Sequence, residues 1–366
     1  SISAWFSLIG ITLGVATLIV VMSVMNGFRA ELVDRILGIN GHLIVYKKNQ
    51  PLISNYNEIV SQILDVKDVV AVTPHLEGQA LAKTKSAVTG VVIRGTNWSD
   101  LAPKKLLWDS LDKDSFNNFK NKKQIIIGYR LAQRLNVKEG DFISLVSPNG
   151  METALGSLPL SQNFIVGGFF NIGMYEYDNN FIFIPWEKAE SFLSVKNTAH
   201  GIEIFLKDQN LTSNVYSDLI NKLGNDLIIV DWKKRNSSFM NALAVEKNVM
   251  FLILTLIIIV AAFNIISSMI MLVQSKNSDI ALMRTMGASK YLIMRIFLLT
   301  GSIIGFLGTF GGTVIGLVFA SNIQEIRIFI TKLLGEELFS PEIYFLSQLP
   351  SKINFDEVLT VIIISV

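Results

Sequence analysis

The sequence predicts an α-helical membrane protein that carries one large α+β domain outside the bilayer. Hydrophobic residues make up 50% of the 366 positions and charged residues only 17%, whereas soluble domains carry roughly 25% charged residues. Long uncharged stretches recur along the chain, and each exceeds the ~20 apolar residues that cross a bilayer as a helix. The first two stretches are separated by residues 39–247, a polar segment long enough to bury a core of its own.

The first predicted span covers residues 1–28, which contain no charged side chain. This segment is not typical of a signal peptide, because no basic residue precedes it and its uncharged run is too long. Ser1 and Val366 both lie inside apolar runs, so we expect the sequence to be trimmed at both ends. The chain contains no cysteine, so neither a disulfide nor a thiolate site is expected.

Residues 39–247 are predicted to form an α+β domain. A strand, a helix and two strands are predicted in its first part, and a strand, a helix and a strand in its last part. Joined together, and apart from one additional strand, these elements follow the β-α-β-β-α-β order of a ferredoxin-like fold. We therefore expect this fold to comprise residues 39–95 and 199–236, with residues 96–198 inserted into it as a β-rich part.

A long connection lies between two predicted strands of the insert, residues 141–146 and 163–170. Residues 147–162 are predicted to form a loop, and a loop of this length is uncommon without a function. It contains apolar side chains that a solvated tip does not need, such as Met151 and Leu155. Two interpretations stay open: the loop folds back as a lid on the sheet, or it binds a partner.

Further membrane segments follow the domain. The second predicted span covers residues 248–275, the third covers residues 291–323, and a fourth begins over residues 358–366. The third carries glycines about four residues apart, and such a row lets helices approach closely, either within one bundle or across a dimer. A short helix is predicted over residues 276–290 and a soluble loop over residues 324–357.

The charges of two short loops orient the spans. Residues 276–295 contain four basic side chains and one acidic one, whereas residues 325–357 contain three basic and six acidic ones. Basic loops stay in the cytoplasm, so the first loop is expected to be cytoplasmic and the second external. Counting the spans backwards places residues 39–247 outside the cytoplasm as well.

Residues 279–289 between the second and third spans have the order Asp-Ile-Ala-Leu-Met-Arg-Thr-Met-Gly-Ala-Ser. Good helix formers follow an acidic residue that the helix dipole favours, and Gly287 is a natural C-terminal stop. Composition alone fits a basic loop that merely joins two spans. The residue order, however, resembles the coupling helix of ABC-transporter permeases of the MacB/FtsX type. This resemblance implies docking to a separate ATPase subunit through Asp279, Ile280, Leu282, Met283, Arg284, Met286 and Gly287.

A second resemblance narrows the family. Residues 23–28, Ser-Val-Met-Asn-Gly-Phe, resemble the first span of lipoprotein-releasing permeases of the LolC/LolE type. In that family the external domain has a ferredoxin-like porter part and an inserted, β-rich sabre part. The sabre part of one subunit carries a loop, the hook, that binds a periplasmic chaperone of the LolA type. Residues 153–159 resemble the Thr-x-x-Gly-x-x-Pro core of that hook. The hook residues so implied are Met151, Thr153, Leu155, Gly156, Leu158 and Pro159.

The resemblance implies a permease subunit that extracts lipoproteins from the outer leaflet of a Gram-negative inner membrane and hands them to the chaperone by mechanotransmission. ATP and magnesium would be held by a cytoplasmic ATPase subunit of the LolD type, since this sequence has no G-x-x-x-x-G-K-[ST] phosphate loop. A second permease subunit, identical or related, would complete the bundle. No catalytic residue, metal site, cofactor or nucleic-acid partner is expected for this chain.

A lipoprotein would be held by its acyl chains, which need an apolar and adaptable wall. Methionine suits such a wall because its flexible side chain fills irregular space. Residues near the outer ends of the first two spans meet this requirement, although helix packing or lipid contact explains them equally well. These residues are Met22, Met25, Phe28, Met250, Phe251 and Leu254.

Two other functions stay open. A MacB-like exporter shares the general plan but normally carries its ATPase on the same chain. An FtsX-like regulator moves no substrate and uses the same motion to switch on an external cell-wall hydrolase, usually with a smaller external domain. The sequence leaves undecided whether the permeases form a homodimer or a heterodimer, which form of the family this is, and which lipoproteins it prefers.

Overall fold

The computed structural model describes residues 2–153, 156–224, 226–334 and 349–365. Within these ranges the chain forms two compact units. The first unit holds the residues up to 32 together with the residues from 238 onwards, and the second holds residues 33–237.

Long helices dominate the first unit, whereas short helices alternate with strands in the second. The helices are α1 (Ile2–Leu37), α2 (Tyr56–Leu64), α3 (Lys105–Ser110), α4 (Lys113–Lys120), α5 (Tyr129–Leu135), α6 (Tyr175–Asn180), α7 (Trp186–Leu193), α8 (Thr212–Leu223), α9 (Trp232–Arg235), α10 (Ser237–Ser275), α11 (Asn277–Thr285), α12 (Lys290–Ser321), α13 (Ile323–Leu334) and α14 (Phe355–Ser365). The strands are β1 (Leu43–Lys47), β2 (Ile53–Ser54), β3 (Val69–Lys83), β4 (Val88–Thr96), β5 (Ile125–Gly128), β6 (Phe142–Thr153), β7 (Gly156–Phe170), β8 (Phe181–Pro185), β9 (Thr198–Ala199), β10 (Gly201–Leu206) and β11 (Leu227–Asp231).

Among the described residues, three helices are long and apolar enough to cross a membrane. The qualifying stretches are Leu8–Leu37 in α1, Met240–Ile257 in α10 and Lys290–Ser321, which is α12. A helix suits this environment because it pairs its backbone polar groups within itself. Helix α14 contributes 11 residues, so the fourth span stays a prediction.

The predicted loop over residues 324–357 is wrong in its first part, because α13 begins one residue after α12 is interrupted. Apolar residues of α13 recur at helical spacing, as at Ile326 and Ile330, which favours a helix over a loop. The break falls at Asn322, whose side-chain amide donates a hydrogen bond to the Val318 carbonyl at 2.8 Å.

The glycine row of α12 packs against α1. A Cβ atom built at Gly308 would lie 2.9 Å from the Cβ atom of Ile11, and one at Gly312 would lie 2.6 Å from the Thr12 carbonyl oxygen. Gly316 lies equally close to the next turn of α1. The Thr12 hydroxyl also donates a hydrogen bond to the Gly308 carbonyl at 3.2 Å. The sequence allowed these glycines to pack against a helix of the same bundle or across a dimer. In the structure they pack against α1 of the same chain.

Gly27 of α1 marks a second close approach. A Cβ atom at this position would lie 2.6 Å from both the backbone nitrogen and the Cα atom of Ser351. One turn earlier, the Ser23 carbonyl accepts a hydrogen bond from the backbone nitrogen of Lys352 at 2.8 Å. The chain that leads into α14 is therefore held directly against the backbone of α1, where only glycine leaves enough room.

We expect Gly27→Ala to destabilise the first unit by about 1–3 kcal/mol, the usual effect of overpacking. Gly14→Ala is the matched control in the same helix, because a Cβ atom there has no neighbouring atom within 4 Å and alanine is the better helix former. The midpoint of thermal unfolding of the detergent-solubilised chain should fall for Gly27→Ala and hold or rise for Gly14→Ala. Equal midpoints for the two variants would contradict the close approach.

The second unit is built on a nine-stranded sheet with the order β11-β1-β10-β3-β4-β8-β5-β7-β6. The first four strands in this order pair antiparallel with their neighbours. A hydrophobic cluster joins these strands to α2 and α8, and it includes the buried residues Leu43, Ile63, Ile204, Val215 and Leu219. This half of the sheet thus has one face covered by two helices.

The remaining strands close into a barrel. Strand β6 pairs back with β3, with Leu81 opposite Val146, so that β3, β4, β8, β5, β7 and β6 form a ring. Closure removes the free sheet edges that would otherwise pair with other chains. The barrel has a hydrophobic core of its own, in which Ile127, Phe164 and Ile182 are buried.

Strand β3 belongs to both halves of the sheet. Its residues 69–75 pair with β10, and its residues 76–83 pair with β4. The predicted boundary after residue 95 is therefore wrong, because β4 pairs with β8 inside the barrel and belongs with the inserted part. Local sequence patterns predicted both strands of the β3–β4 hairpin but did not indicate which half of the sheet each one joins.

Candidate functional site

Helix α11 connects α10 to α12 and coincides with the predicted coupling stretch. At its start, the Lys276 ammonium lies 2.9 Å from the Asp279 carboxylate, an exposed ion pair that contributes little to stability. The side chains of Leu282 and Met286 are 61% and 71% exposed, whereas Met283 is half-buried. Exposed apolar side chains next to one another are typical of a surface that contacts another protein. The predicted residues Asp279, Ile280, Leu282, Met283 and Arg284 lie on α11, and Met286 and Gly287 lie in the turn that follows.

The turn after α11 is built on Gly287, whose φ of 95° is rarely adopted by other residues. Its backbone nitrogen donates to the Arg284 carbonyl at 3.1 Å, and that of Ala288 donates to the Met283 carbonyl at 3.0 Å. These two hydrogen bonds define a Schellman C-cap. Ser289 then caps the N-terminus of α12. The predicted helix stop at Gly287 is confirmed, and the exit direction from α11 is fixed.

Strands β6 and β7 form a long hairpin where the sequence predicted a loop over residues 147–162. The ladder continues to its tip, with Met151 opposite Leu158 and Thr153 opposite Gly156. The predicted loop is therefore wrong for this segment. Of the predicted hook residues, Met151, Thr153, Gly156, Leu158 and Pro159 lie in these strands, and Leu155 lies outside the described residues.

The misleading signal was the sequence Ser-Pro-Asn-Gly over residues 147–150, which is typical of a turn. In the structure these residues occupy a register shift between Ser147 and Met151. Such a bulge tolerates proline and glycine, because it interrupts the ladder of hydrogen bonds locally. The two strands are therefore paired on both sides of the bulge, up to Thr153 and Gly156.

The predicted lipoprotein-contacting residues lie on two helices. Met22, Met25 and Phe28 are half-buried on α1, and Met22 packs against a cluster formed with residues of α14. Met250 is half-buried on α10, and the side chains of Phe251 and Leu254 are not among those that the structure describes. The packing of Met22 agrees with the structural interpretation that the sequence also allowed.

Two family models match the chain. The MacB-like periplasmic core domain matches residues 4–222, and the FtsX-like permease C-terminal domain matches residues 251–365. The lipoprotein-releasing system transmembrane protein LolC of Neisseria meningitidis serogroup B is 33% identical over 98% of this chain and 87% of that protein. LolC of Xylella fastidiosa is 30% identical over 97% of this chain and 86% of that protein. LolE of Haemophilus influenzae is 30% identical over 98% of this chain and 87% of that protein.

The chain belongs to the LolC/LolE-type permease family. The family predicted from residues 23–28 and 279–289 is thereby confirmed. The protein is an inner-membrane permease with a MacB-like periplasmic domain, and the matched residues 4–222 include most of the second unit. Three of its described helices are long and apolar enough to span the membrane.

The permease also contains a group of buried charges that sequence analysis missed. Glu203 on β10 is fully buried, and its carboxylate pairs with Lys104 and, at 3.5 Å, with Arg94 on β4. Arg94, also fully buried, donates a hydrogen bond to Glu77 on β3 at 2.6 Å, and Arg235 lies 3.7 Å from the same carboxylate. We call these five residues the charge network. The described ranges hold no group of three His, Asp or Glu side chains placed to ligate a metal ion.

Opposite charges keep Glu203 and Arg94 ionised, whereas burial lowers the pKa of Lys104. Burial alone would raise the pKa of Glu203, but Lys104 and Arg94 outweigh it and hold this pKa below its ordinary range. Burial alone would lower the pKa of Arg94, but the carboxylates of Glu203 and Glu77 raise it. Burial lowers the pKa of the neighbouring His75 to about 3, so this imidazole is neutral at pH 7.

A signal for this network was present in the sequence. Glu203 interrupts the apolar residues 201–206, and Arg94 directly follows the apolar residues 91–93. A charged side chain in a buried strand must be paired, because an isolated buried charge is costly. The partners could not be deduced, because they come from segments that are far apart in the chain.

Protonation of His75 gives a testable pH dependence. Its pKa is about 3 in the folded permease and 6.5 in the unfolded chain, so between these values the unfolded chain binds more protons. The contribution of His75 to the free energy of unfolding is therefore fully present above pH 6.5 and is lost as the pH falls towards 3. Between about pH 7.5 and pH 5 the loss amounts to about 2 kcal/mol. Burial raises the pKa of Asp178 to about 6, so its contribution changes in the opposite direction over part of this range.

The variant His75→Gln separates the two contributions, because Asp178 is common to both proteins. Denaturant unfolding of the full chain, followed by tryptophan fluorescence, gives the free energy of unfolding at each pH. We expect the stability of the unaltered permease relative to His75→Gln to fall by about 2 kcal/mol between about pH 7.5 and pH 5. A difference that is independent of pH would show that His75 does not change its protonation on unfolding.

Proposed function

We propose that this permease is a subunit of an ATP-driven transporter that extracts lipoproteins from the outer leaflet of the inner membrane of a Gram-negative bacterium. The observation that carries the proposal is the similarity, over nearly the whole chain, to LolC and LolE proteins, whose names describe a lipoprotein-releasing system. The transporter releases the lipoprotein to a periplasmic chaperone of the LolA type. A second permease subunit, identical or related, completes the membrane bundle.

ATP and magnesium are bound by a separate cytoplasmic ATPase subunit of the LolD type, which docks on α11. The exposed side chains of Leu282 and Met286 supply an apolar contact, and the cap at Gly287 fixes the direction in which the chain enters α12. A short, capped helix between two spans passes a displacement of the ATPase to both spans at once. This arrangement supports coupling without any catalytic residue in the permease itself.

Long helices carry the displacement outwards. Helix α1 has 36 residues and α10 has 39, which correspond to about 54 Å and about 58 Å at 1.5 Å per residue. Both lengths exceed the ~30 Å hydrocarbon core of a bilayer, so each helix extends beyond the membrane. The acyl chains of the lipoprotein contact the outer ends of these helices, around Met25, Phe28 and Met250, and α14 begins the fourth span.

The periplasmic domain hands over the lipoprotein. Strands β11, β1, β10 and the first half of β3, with α2 and α8, correspond to the ferredoxin-like porter part, and the closed barrel corresponds to the sabre part. The β6–β7 hairpin extends from this barrel as the hook. A hairpin whose ladder is paired to its tip presents the residues around Thr153 and Gly156 to the chaperone at little cost in conformational entropy.

Docking of the ATPase is tested by Leu282→Ser combined with Met286→Ser, which removes the exposed apolar contact. We expect the affinity for the ATPase subunit to fall at least about tenfold, which corresponds to about 1.4 kcal/mol of binding free energy. Co-purification of the ATPase subunit and lipoprotein release should fall with it. Tyr291→Ser is the control, because Tyr291 is 80% exposed but lies beyond the turn, on α12. If the double variant co-purifies normally with the ATPase subunit, the assignment of α11 as the docking element is refuted.

The function as a whole is tested by calorimetric titration of the purified permease with a LolA-type chaperone. A parallel sample has residues 153–159 replaced by glycine and serine, and a control sample has the exposed turn residues Lys85 and Ser86 replaced in the same way. We expect binding to the unaltered and control samples and at least a tenfold weaker affinity, about 1.4 kcal/mol, for the altered hairpin.

If the chaperone binds none of the three samples, handover to a chaperone is refuted. The MacB-like exporter and the FtsX-like regulator would then become the functions to test. Equal binding to all three samples would keep the handover but move the chaperone contact away from the hairpin.

A further inference from the structure

A short segment, residues 38–42, follows α1 directly and leads into β1; we call it the joint segment. Neighbouring residues pack so closely against this segment that Gly38 and Gly41 leave no room for a side chain. A Cβ atom at Gly38 would lie 2.5 Å from the Leu106 side chain, and one at Gly41 would lie 2.7 Å from the backbone nitrogen of Ile204. The Gly38 carbonyl also accepts a hydrogen bond from the Leu106 nitrogen at 3.2 Å. The chain leaving α1 is thus packed between α3 and β10 rather than forming a slack linker.

The joint segment is tied to the charge network. The carbonyl of Ile39 accepts a hydrogen bond from the Lys104 ammonium at 3.2 Å. The side-chain oxygen of Asn40 accepts one from the Arg94 guanidinium at 3.3 Å, and its amide nitrogen donates to the Tyr177 hydroxyl at 2.6 Å. The same amide nitrogen donates to the carbonyl of Ile36, in the last turn of α1, at 3.0 Å. One buried side chain, Asn40, therefore connects the end of α1 to β4 and α6.

The last turn of α1 has a further attachment. The guanidinium of Arg35 donates a hydrogen bond to the Ile172 carbonyl, in the chain just after β7. Gly173 follows with a φ of 71°, and a Cβ atom there would clash with the Arg35 guanidinium. The end of α1 is therefore held from two sides, by the charge network and by the segment between β7 and α6.

The charge network is not an efficient source of stability. Removing charged groups from water is costly, and well-packed apolar residues of similar volume are often equally stabilising. Directional ion pairs and hydrogen bonds, in contrast, hold their partners in one geometry, and such specificity is the best-supported use of buried polar groups. Three fully buried charges beside the joint segment therefore favour a single geometry at this position.

The charge network is also connected to the β6–β7 hairpin, through strand β3. Glu77, bonded to Arg94, lies on β3, the strand shared by both halves of the sheet. Further along β3, Leu81, Ala82 and Lys83 pair with residues 144–146 of β6, the strand that continues into the hairpin. A single strand, β3, therefore connects the charge network to the base of the hairpin.

We propose that the joint segment and the charge network form a rigid joint, which converts a displacement of α1 into a displacement of the β6–β7 hairpin. Asn40 is its positioning residue, because it bonds α1, Arg94 and Tyr177 at once. The inference rests on the proposed function, in which α1 carries the motion outwards. It adds the place at which the motion enters the periplasmic domain.

The test compares Asn40→Ala with Asn118→Ala in the complete transporter, reconstituted in lipid vesicles with its ATPase and second permease subunit. Asn118 is a matched control, since it is also buried in the second unit and its amide nitrogen also makes two hydrogen bonds, to Glu139 and to the Gly167 carbonyl. The quantity measured is lipoprotein released to the chaperone per ATP hydrolysed. We expect Asn40→Ala to lower this ratio by a factor of about 2 to 30, the range for residues that carry coupling without touching either ligand. Asn118→Ala should leave it unchanged.

Tyr177→Phe is a second variant, which removes one oxygen atom and keeps the fold, and it should lower the same ratio by a smaller factor. Equal amounts of lipoprotein released per ATP hydrolysed by the Asn40→Ala, Tyr177→Phe and Asn118→Ala transporters would refute the proposed joint. Equal losses in Asn40→Ala and Asn118→Ala would also overturn it, because they would reflect general destabilisation of the domain. Failure of the proposed function is distinct, since the unaltered transporter would then hydrolyse ATP without releasing lipoprotein.

Discussion

The pairing of Glu203 with Arg94 and Lys104 is the interaction on which the rest of the periplasmic domain depends. It brings together a strand of one half of the sheet, a strand of the barrel, and the residue that precedes α3. A buried carboxylate without these partners would lose its hydration and gain nothing in exchange. The two halves of the sheet must therefore meet in the register that places these three side chains side by side, and the shared strand β3 makes that register possible.

The first unit follows a different physical rule. Within a bilayer there is no hydrophobic force between helices, so packing depends on close approach of the backbones. Gly308 and Gly312 of α12 permit this approach to α1, and Gly27 of α1 permits it to the chain before α14. Asn26, next to Gly27, donates a hydrogen bond to the Glu357 carboxylate. The run Met-Asn-Gly-Phe, which resembles the first span of the family, thus has a packing role as well as diagnostic value.

The two candidate contact elements share one design. Helix α11 is a short element held between two spans and fixed at its end by a glycine cap, and the β6–β7 hairpin is a long element fixed at its base by a closed barrel. In each case the candidate contact element is attached to a defined structural element. The proposed function requires supports of this kind, because a flexible element would absorb the displacement of the ATPase instead of transmitting it.

The sequence by itself determined the properties that depend on neighbouring residues. Hydropathy determined the apolar helices, the residue order around residue 284 determined the short helix between two spans and its stop at Gly287, and two short motifs indicated the family. The tertiary structure alone decided the properties that depend on distant partners. These are the closure of the barrel through β3 and β6, the continuation of the hairpin strands past Pro148, and the pairing of residues 94, 104 and 203. The reason is physical: hydropathy and helix capping act within a few residues, whereas strand register and buried ion pairs are set by segments that meet only after the chain has folded.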